Sequence, residues 1–140
     1  MNPNKSRGLP LVELMVTVAI LAIVASIAYP AYTGYAVTAN RSDGKIALNK
    51  IAMAQERFFS ENNSYTANIS LLPGFNSNPY LTEKGKYSIS AAAGPGGITT
   101  SFILSAAPQG SQTKDNCTSM TLASAGIKGG SPSKDDCWIK

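Results

Sequence analysis

The apolar residues of this chain are concentrated in one segment near its amino terminus. Residues 1–8 are polar, whereas residues 9–29 read LPLVELMVTVAILAIVASIAY and contain one charge, Glu13. At about 1.5 Å per residue, a helix over residues 9–29 is roughly 30 Å long, which matches the hydrocarbon core of a bilayer. A helix that is apolar on every side must be buried in lipid or in a large protein interior, and the remaining residues are too few to enclose it. We therefore predict that this segment spans a membrane or lies in the core of a polymer.

The length of the segment favours a membrane anchor over a removable secretory signal, and the flanking charges predict its orientation. Lys5 and Arg7 precede the apolar residues, so the amino terminus is expected on the cytoplasmic side. The segment Ala25–Ala28, which contains three small residues, could loosely supply a secretory cleavage site, but a secretory signal has an apolar region of only about 7–15 residues. The longer segment predicts that the apolar helix stays in the mature chain.

The helical pattern continues past Pro30 but becomes one-sided over residues 30–60. An apolar stripe of 3.6-residue period covers one face, and charged residues occupy the other faces. The stripe comprises Ala47, Leu48, Ile51, Ala52, Phe58 and Phe59, and the charged residues are Arg41, Lys45, Lys50 and Glu56. Gly34 and Gly44 each lower helix propensity by about 1 kcal/mol relative to Ala, so we expect local looseness at both. The helix is expected to end near residues 60–63, where a polar turn begins.

Residues 61–140 are predicted to form a head that packs on this stripe. A loop over residues 61–86, rich in Asn, Pro and Gly, contains a helical turn near Ile69–Leu72. Alternating and β-branched residues then predict three strands. The predicted strands are Lys86–Ala93, Ile98–Ala107 and Cys117–Ser124, with a turn at Ala93–Gly97 and a break at Gly126–Gly130. Three antiparallel strands against the amphipathic helix would bury both apolar faces, which makes the predicted fold class α+β.

The composition argues against an enzyme or a metalloprotein. The chain has no histidine, which is the commonest acid–base catalyst and a frequent zinc ligand. Its two cysteines cannot complete a tetrahedral thiolate site alone. The net charge of +4 is small for a nucleic-acid-binding protein. We therefore predict no catalytic site, no metal and no cofactor.

Glu13 is the residue of the apolar segment that most needs a function. A charged side chain at the centre of a membrane costs about 2.5–3.5 kcal/mol on insertion scales, and less near the interface. If the chain were cut between Gly8 and Leu9, Glu13 would be the fifth residue, one helical turn from a new α-ammonium group. The α-ammonium group of a neighbouring copy could then pair with Glu13 and offset its desolvation. The same cut would place Pro10 in the first turn, where its missing N–H breaks no intrahelical bond.

These residues together resemble the amino terminus of the type IV pilins. The string Gly8-Leu9-Pro10-Leu11-Val12-Glu13, followed by LMVTVAILAIVASIAYPAY, is similar to the class III signal and helix of that family. The resemblance implies that a prepilin peptidase removes residues 1–8 and methylates the amino group of Leu9. It also implies that Glu13 acts in assembly and that Pro30 bends the helix beyond its membrane-spanning part at residues 9–29.

The resemblance implies a compartment for the two cysteines. If the head lies outside the cytoplasmic membrane, its surroundings are oxidising and Cys117 and Cys137 should form a bridge. Closing a loop of about twenty residues stabilises a fold by roughly 3 kcal/mol in the chain-entropy model. The ending Asp136-Cys137-Trp138 is similar to the disulfide-bounded carboxy-terminal region of pilins, particularly the short minor-type pilins of Gram-negative bacteria. The alternative interpretation is that Cys117 and Cys137 are free thiols or metal ligands.

A type IV pilin is a structural subunit rather than an enzyme. The resemblance implies an inner-membrane precursor with a cytoplasmic amino terminus and a periplasmic head, which then joins an extracellular pilus. It implies other pilin subunits, a prepilin peptidase, the membrane and an inner-membrane assembly platform as partners. The pilus would support adhesion, twitching motility or DNA uptake.

Three alternatives share part of this sequence pattern. A pseudopilin of type II secretion has the same leader and helix, but the cysteine pair favours a pilin. A DNA-uptake pilin would need basic residues on its head, and the pairs Lys84/Lys86 and Lys128/Lys134 could contact phosphate, although a solvated loop is the simpler interpretation. A membrane-anchored enzyme lacks any recognisable catalytic arrangement.

Overall fold

The computed structural model describes residues 11–139. Its first element is the helix α1, Leu11–Asn62, which is 52 residues long and contains Pro30. The helix ends where the sequence predicts: the N–H of Asn63 donates to the carbonyl of Phe59 at 2.8 Å, and Asn63 has a φ of 52°. Asparagine tolerates this left-handed conformation better than most residues and is a common helix terminator.

The chain divides into two compact units, with the boundary after Tyr35. Of the first unit, the structure describes the helical residues 11–35. The second unit, which begins at Ala36, contains the rest of α1 and all of the sheet. We call this second unit the head.

The head contains one antiparallel sheet of five strands, in the spatial order of the chain. The strands are β1 (Tyr80–Leu81), β2 (Tyr87–Ala93), β3 (Phe102–Pro108), β4 (Ser119–Ala123) and β5 (Lys128–Ser131), and a short helix α2 (Lys134–Trp138) follows. Single 3₁₀ turns occupy Ile69–Leu71 and Gly110–Lys114. A long helix with an antiparallel sheet confirms the predicted α+β class.

The details of the sheet differ from the prediction of three strands. The prediction did not include β1. The second predicted strand began too early, because Ile98–Thr100 forms a turn before β3. It was also wrong to end the sheet at Gly126–Gly130, since β5 includes Gly129 and Gly130. Glycine is needed there: a Cβ at Gly130 would lie 2.8 Å from Sγ of Cys137. The close approach of β5 to the cysteine therefore excludes the side chains that signal a strand.

The core of the head lies between α1 and the inner face of the sheet. Ala47, Leu48 and Ile51 of the predicted stripe are buried, whereas Ala52, Phe58 and Phe59 are only half-buried. The sheet contributes alternate residues of three strands. These are Tyr87 and Ile89 of β2, Phe102, Leu104 and Ala106 of β3, and Met120 and Leu122 of β4. Each large apolar side chain that is fully buried here stabilises the fold by about 1.5–3 kcal/mol.

Gly44 is a point of close packing, and the expectation of looseness there was wrong. A Cβ at Gly44 would lie 2.6 Å from Cε of Met120 and 3.0 Å from Cγ of Tyr87. At Gly34, by contrast, nothing lies within 4 Å of the corresponding position. The absent side chain at Gly44 lets the helix approach β2 and β4.

This contact gives a matched pair of substitutions. We expect Gly44→Leu to lower the free energy of unfolding by about 1–3 kcal/mol, because overpacking displaces Met120 and Tyr87. Gly34→Leu should leave that free energy unchanged or raise it, because leucine has a higher helix propensity than glycine. Urea unfolding of the full chain in detergent measures both. Equal stability of the two variants would contradict the packing described here.

Candidate functional site

The helical residues of the first unit present an apolar surface on every side. Their large apolar side chains are between 52% and 76% exposed. The most apolar window of 18 residues in α1 has a mean hydropathy of 2.5, and none of that window is buried. By length and composition, α1 is able to cross a membrane. Tyr29, Tyr32 and Tyr35, three residues apart, are also exposed in this unit.

Glu13 lies in the first turn of α1 and is exposed. Its backbone carbonyl accepts a hydrogen bond from Oγ1 of Thr17 at 2.7 Å. Within residues 11–139, no cationic group lies within ion-pair distance of its carboxylate. The predicted cleavage site, Gly8 and Leu9, lies outside the described residues. The role of Glu13 therefore stays a prediction.

Pro30 is accommodated inside α1 without ending the helix. Proline has no N–H to donate and its ring crowds the preceding turn. The hydroxyl of Thr33 donates to the carbonyl of Pro30 at 2.9 Å, and the hydroxyl of Ser26 donates to that of Ile23 at 2.7 Å. Side-chain hydroxyls thus bond to backbone carbonyls on both sides of the proline.

In the head, Cys117 and Cys137 form a disulfide with a Cα–Cα distance of 5.2 Å. Both residues are fully buried. The bond joins the segment just before β4 to α2. Because β4 and β5 lie between the two cysteines, the bridged segment is a strand hairpin with a short helix rather than the irregular loop that the sequence suggested.

Arg41 is buried, which corrects its predicted place on a charged outer face. Its guanidinium donates to both carboxylate oxygens of Asp115, at 2.8 and 2.6 Å. Its Nη1 also donates to the carbonyl of Asp136. The side chains of Arg41 and Asp115 are only 7% and 3% exposed. Arg41 therefore connects α1 to both ends of the disulfide-bonded region.

Gln112 extends this buried network to β2. Its side-chain amide lies 3.0 Å from the hydroxyl of Tyr87 and from Oδ2 of Asp115, and 2.7 Å from the carbonyl of Val37. Burial, together with the negative charge of Asp115, raises the pKa of Tyr87 to about 12. The tyrosine is therefore neutral at physiological pH and serves as a hydrogen-bonding group of the core.

A second set of contacts holds α2. The ammonium group of Lys45 donates to the carbonyl of Trp138 at 2.9 Å, and the indole N–H of Trp138 donates to the carbonyl of Gly129 at 2.7 Å. Lys128 lies over the Trp138 ring, 4.9 Å from its centroid. From the sequence, Trp138 was recognised only as part of the carboxy-terminal ending that resembles pilins, and Asp115 and Gln112 were not predicted to have a role.

The proposed phosphate contacts fall into two separate groups. Lys86 donates to the hydroxyl of Ser111 at 3.1 Å, so the β1–β2 turn meets the 3₁₀ turn that carries Lys114. Lys84 lies in the same β1–β2 turn and is exposed. Lys128 and Lys134, by contrast, belong to β5 and α2. Among residues 11–139, no group of three or more His, Cys, Asp and Glu side chains is placed to hold a metal ion.

Comparison with known proteins gives similar sequences over both units. The model of a family described as "Type IV minor pilin ComP, DNA uptake sequence receptor" matches residues 30–121. The model of the prokaryotic N-terminal methylation motif matches residues 3–29. The two matches meet at Pro30, so the leader with the apolar helix and the head are recognised independently.

A curated relative and a solved structure agree with these matches. The chain is 36% identical over 96 residues to the type IV major pilin protein PilA of Myxococcus xanthus (strain DK1622). That alignment covers 66% of this chain, but the chain spans only about 40% of the length of the relative. A type IV pilin from Shewanella oneidensis, known at high resolution, has a similar fold, with a TM-score of 0.51 and 27% identity over 73% of this chain and 97% of that one. From its methylation motif, its long apolar helix and its disulfide-bonded antiparallel head, this chain belongs to the type IV pilin family.

Proposed function

We propose that this chain is a structural subunit of a type IV pilus that is stored in the inner membrane and assembled through its amino-terminal helix. The observation that carries the proposal is the exposure of the apolar helix in the first unit. The most apolar window of 18 residues in this helix is not buried by any other part of the described chain. Such a surface needs an apolar environment from outside the chain. The bilayer supplies it for the precursor, and helices of other subunits supply it in the filament.

The precursor spans the membrane once, through residues 9–29. Lys5 and Arg7 keep its amino terminus in the cytoplasm, and the head lies in the periplasm. The prepilin peptidase then removes residues 1–8 and methylates Leu9. The match of residues 3–29 to the methylation motif supports this step. Removal of Lys5 and Arg7 lowers the formal side-chain charge from +4 to +2.

Transfer from the bilayer to a filament core exchanges one apolar environment for another. The hydrophobic contribution to the free energy of this transfer is therefore small. Helix packing and polar pairing then determine the position of each subunit. Glu13 supplies the pairing: its carboxylate has no cationic partner within residues 11–139, and the α-ammonium group of Leu9 in a neighbouring copy fits that role. Pro30 marks the bend between the segment 9–29 and the segment 30–60.

Fractionation of cells that express the full chain tests this function. We expect the wild-type chain both in the inner membrane and in filaments sheared from the cell surface. A Gly8→Asp chain, which the peptidase should not cut, is the control, and we expect it in the membrane alone. Absence of the wild-type chain from every sheared filament would contradict the proposal. A secretin-linked export gene set beside this gene would instead favour the type II secretion pseudopilin.

DNA uptake is the second candidate role, and the matched family is the observation that favours it. The family model is described as a receptor for a DNA uptake sequence. The candidate phosphate contacts are three basic residues where the β1–β2 turn meets the second 3₁₀ turn: Lys84, Lys86 and Lys114. Retention of duplex DNA by the filaments should then weaken steeply with salt. Unchanged retention by a chain with alanine at all three positions would contradict this surface. Adhesion and twitching motility are further roles of such a pilus.

A further inference from the structure

The uncharged part of α1 is longer than the core of a bilayer. Residues 14–40 contain no Asp, Glu, Lys or Arg, and all of them are helical. At about 1.5 Å per residue, a helix of this length measures roughly 40 Å, whereas the hydrocarbon core of a bilayer is about 30 Å thick. The length of the segment therefore does not determine which of its residues lie in the hydrocarbon. Residues that favour the interfaces have to determine it.

Three tyrosines are the large side chains at the carboxy-terminal end of the first unit. Tyr29, Tyr32 and Tyr35 are 72%, 71% and 76% exposed. The other residues from 28 to 36 are Ala, Pro, Thr and Gly, so the three rings provide most of the helix surface there. At about 100° per residue, a three-residue spacing rotates each ring by about 60° from the one before. The rings therefore form a ribbon over about one third of the helix circumference, which we call the tyrosine ribbon.

The chemistry of tyrosine suits the boundary between hydrocarbon and water. Its ring is apolar, but its hydroxyl needs a hydrogen-bond partner, and tyrosine is therefore enriched where one end of the side chain is wet. No side-chain hydrogen bond within residues 11–139 involves the hydroxyl of a residue in the tyrosine ribbon. The phosphate and ester oxygens of lipids, together with interfacial water, can supply the partners that the chain does not.

The distance from Glu13 agrees with an interfacial position of the tyrosine ribbon. The charge of Glu13 is tolerated best near an interface, and this end of the segment faces the cytoplasm. Because α1 is continuous from Glu13 to Tyr35, Tyr29 and Tyr35 lie about 24 and 33 Å from Glu13 along the helix axis. These two distances bracket the roughly 30 Å of the hydrocarbon core. With Glu13 at the cytoplasmic interface, the ribbon therefore lies at the periplasmic one.

We propose that the tyrosine ribbon binds the phosphate and ester region of the lipids at the periplasmic surface of the inner membrane and sets the depth of the precursor. Residues 14–28 then lie in the hydrocarbon, and residues 36–40 lie beyond it on the periplasmic side. The inference rests on the proposed function, because it takes the precursor to span the inner membrane with Glu13 at the cytoplasmic side. Coverage of the rings by protein instead of lipid is one outcome of the first test.

Fluorescence quenching in phospholipid vesicles measures the depth of the ribbon. Trp138 is the one tryptophan of the chain, so the full chain with Trp138→Phe and Tyr32→Trp has a single probe. The vesicles contain phosphatidylethanolamine and phosphatidylglycerol, brominated either near the headgroup or near the end of the acyl chain. We expect stronger quenching of Tyr32→Trp by the shallow bromines. The control is Ile23→Trp, about 15 Å from Glu13 and so near the midplane, and deep bromines should quench it more strongly. Deep quenching of Tyr32→Trp, or quenching by neither lipid, would overturn the inference.

Removal of the rings tests whether the ribbon sets the depth. The exposed Ala39 follows the ribbon, and Ala39→Cys adds the one free thiol, since Cys117 and Cys137 are bonded to each other. In spheroplasts with the Gly8→Asp chain, a membrane-impermeant maleimide should label this thiol. Leucine at all three tyrosine positions should lower the labelling rate severalfold, because the longer apolar segment moves deeper, whereas tryptophan at all three should preserve it. Equal labelling of the leucine and tryptophan chains would overturn this inference alone. Absence of the chain with its tyrosines from the membrane would overturn the proposed function as well.

Discussion

A chain with Glu13→Ala is expected to enter the membrane at least as well as the wild type but to be depleted from filaments by about ten-fold or more. Insertion improves because a carboxylate no longer has to leave water. Incorporation falls because the α-ammonium group of the neighbouring copy loses its partner. Hydrogen bonds to charged groups are worth about 1.5–3 kcal/mol, and each 1.4 kcal/mol is a factor of ten. Quantifying the chain in membranes and in sheared filaments measures both effects.

Glu13→Gln separates charge from shape in this experiment. Glutamine keeps the size and the acceptor oxygen of glutamate but removes its charge, so we expect a deficit close to that of Glu13→Ala. If Glu13→Gln assembled normally while Glu13→Ala did not, packing rather than ion pairing would explain the role of this position. Normal filament levels for both variants would remove Glu13 from the assembly mechanism.

The second large effect is expected at Arg41. Arg41→Met should lower the free energy of unfolding of the head by about 3–5 kcal/mol, because it leaves the buried carboxylate of Asp115 without its cation. The double variant Arg41→Met with Asp115→Asn should recover part of this loss, since no unpaired charge remains. Urea unfolding of the full chain in detergent supplies the two values. If the double variant were no more stable than Arg41→Met, the ion pair would not be the source of the effect.

The same pair predicts an acid-labile head. Burial opposes ionisation of Asp115, but hydrogen bonds from Arg41 and from the N–H of Cys117, with the positive charge of Arg41, hold its pKa below the usual value. A carboxyl group with a lowered pKa in the folded state adds stability above its unfolded pKa, near 4, and loses it as the pH falls through the folded value. Unfolding measured between neutral pH and acid should show this loss, and Asp115→Asn should reduce it.

The sequence was informative wherever a pattern follows one simple period or a known motif. The apolar segment, the helix end near Asn63 and the strands around Tyr87 and Leu122 all have such patterns. The family match confirms the absence of enzymatic function that the sequence predicted, because type IV pilins are structural proteins.

The sequence failed where distant residues determine a local structure. Arg41 reads as a surface cation on a helix, and only Asp115, 74 residues away, makes its burial stable. The strand β5 is hidden by Gly129 and Gly130, which are glycines because Thr121 and Cys137 lie against them. The helix α2 did have a recognisable signal: Ser133 caps it and accepts a hydrogen bond from the N–H of Asp136.

The direct test of this account is the mass of the amino-terminal peptide from subunits of purified filaments. We expect it to begin at Leu9, with one methyl group on its α-nitrogen, and to contain Glu13 unmodified. Filament subunits that begin at Met1 would show that neither the leader removal nor the pairing of Glu13 with a new amino terminus occurs.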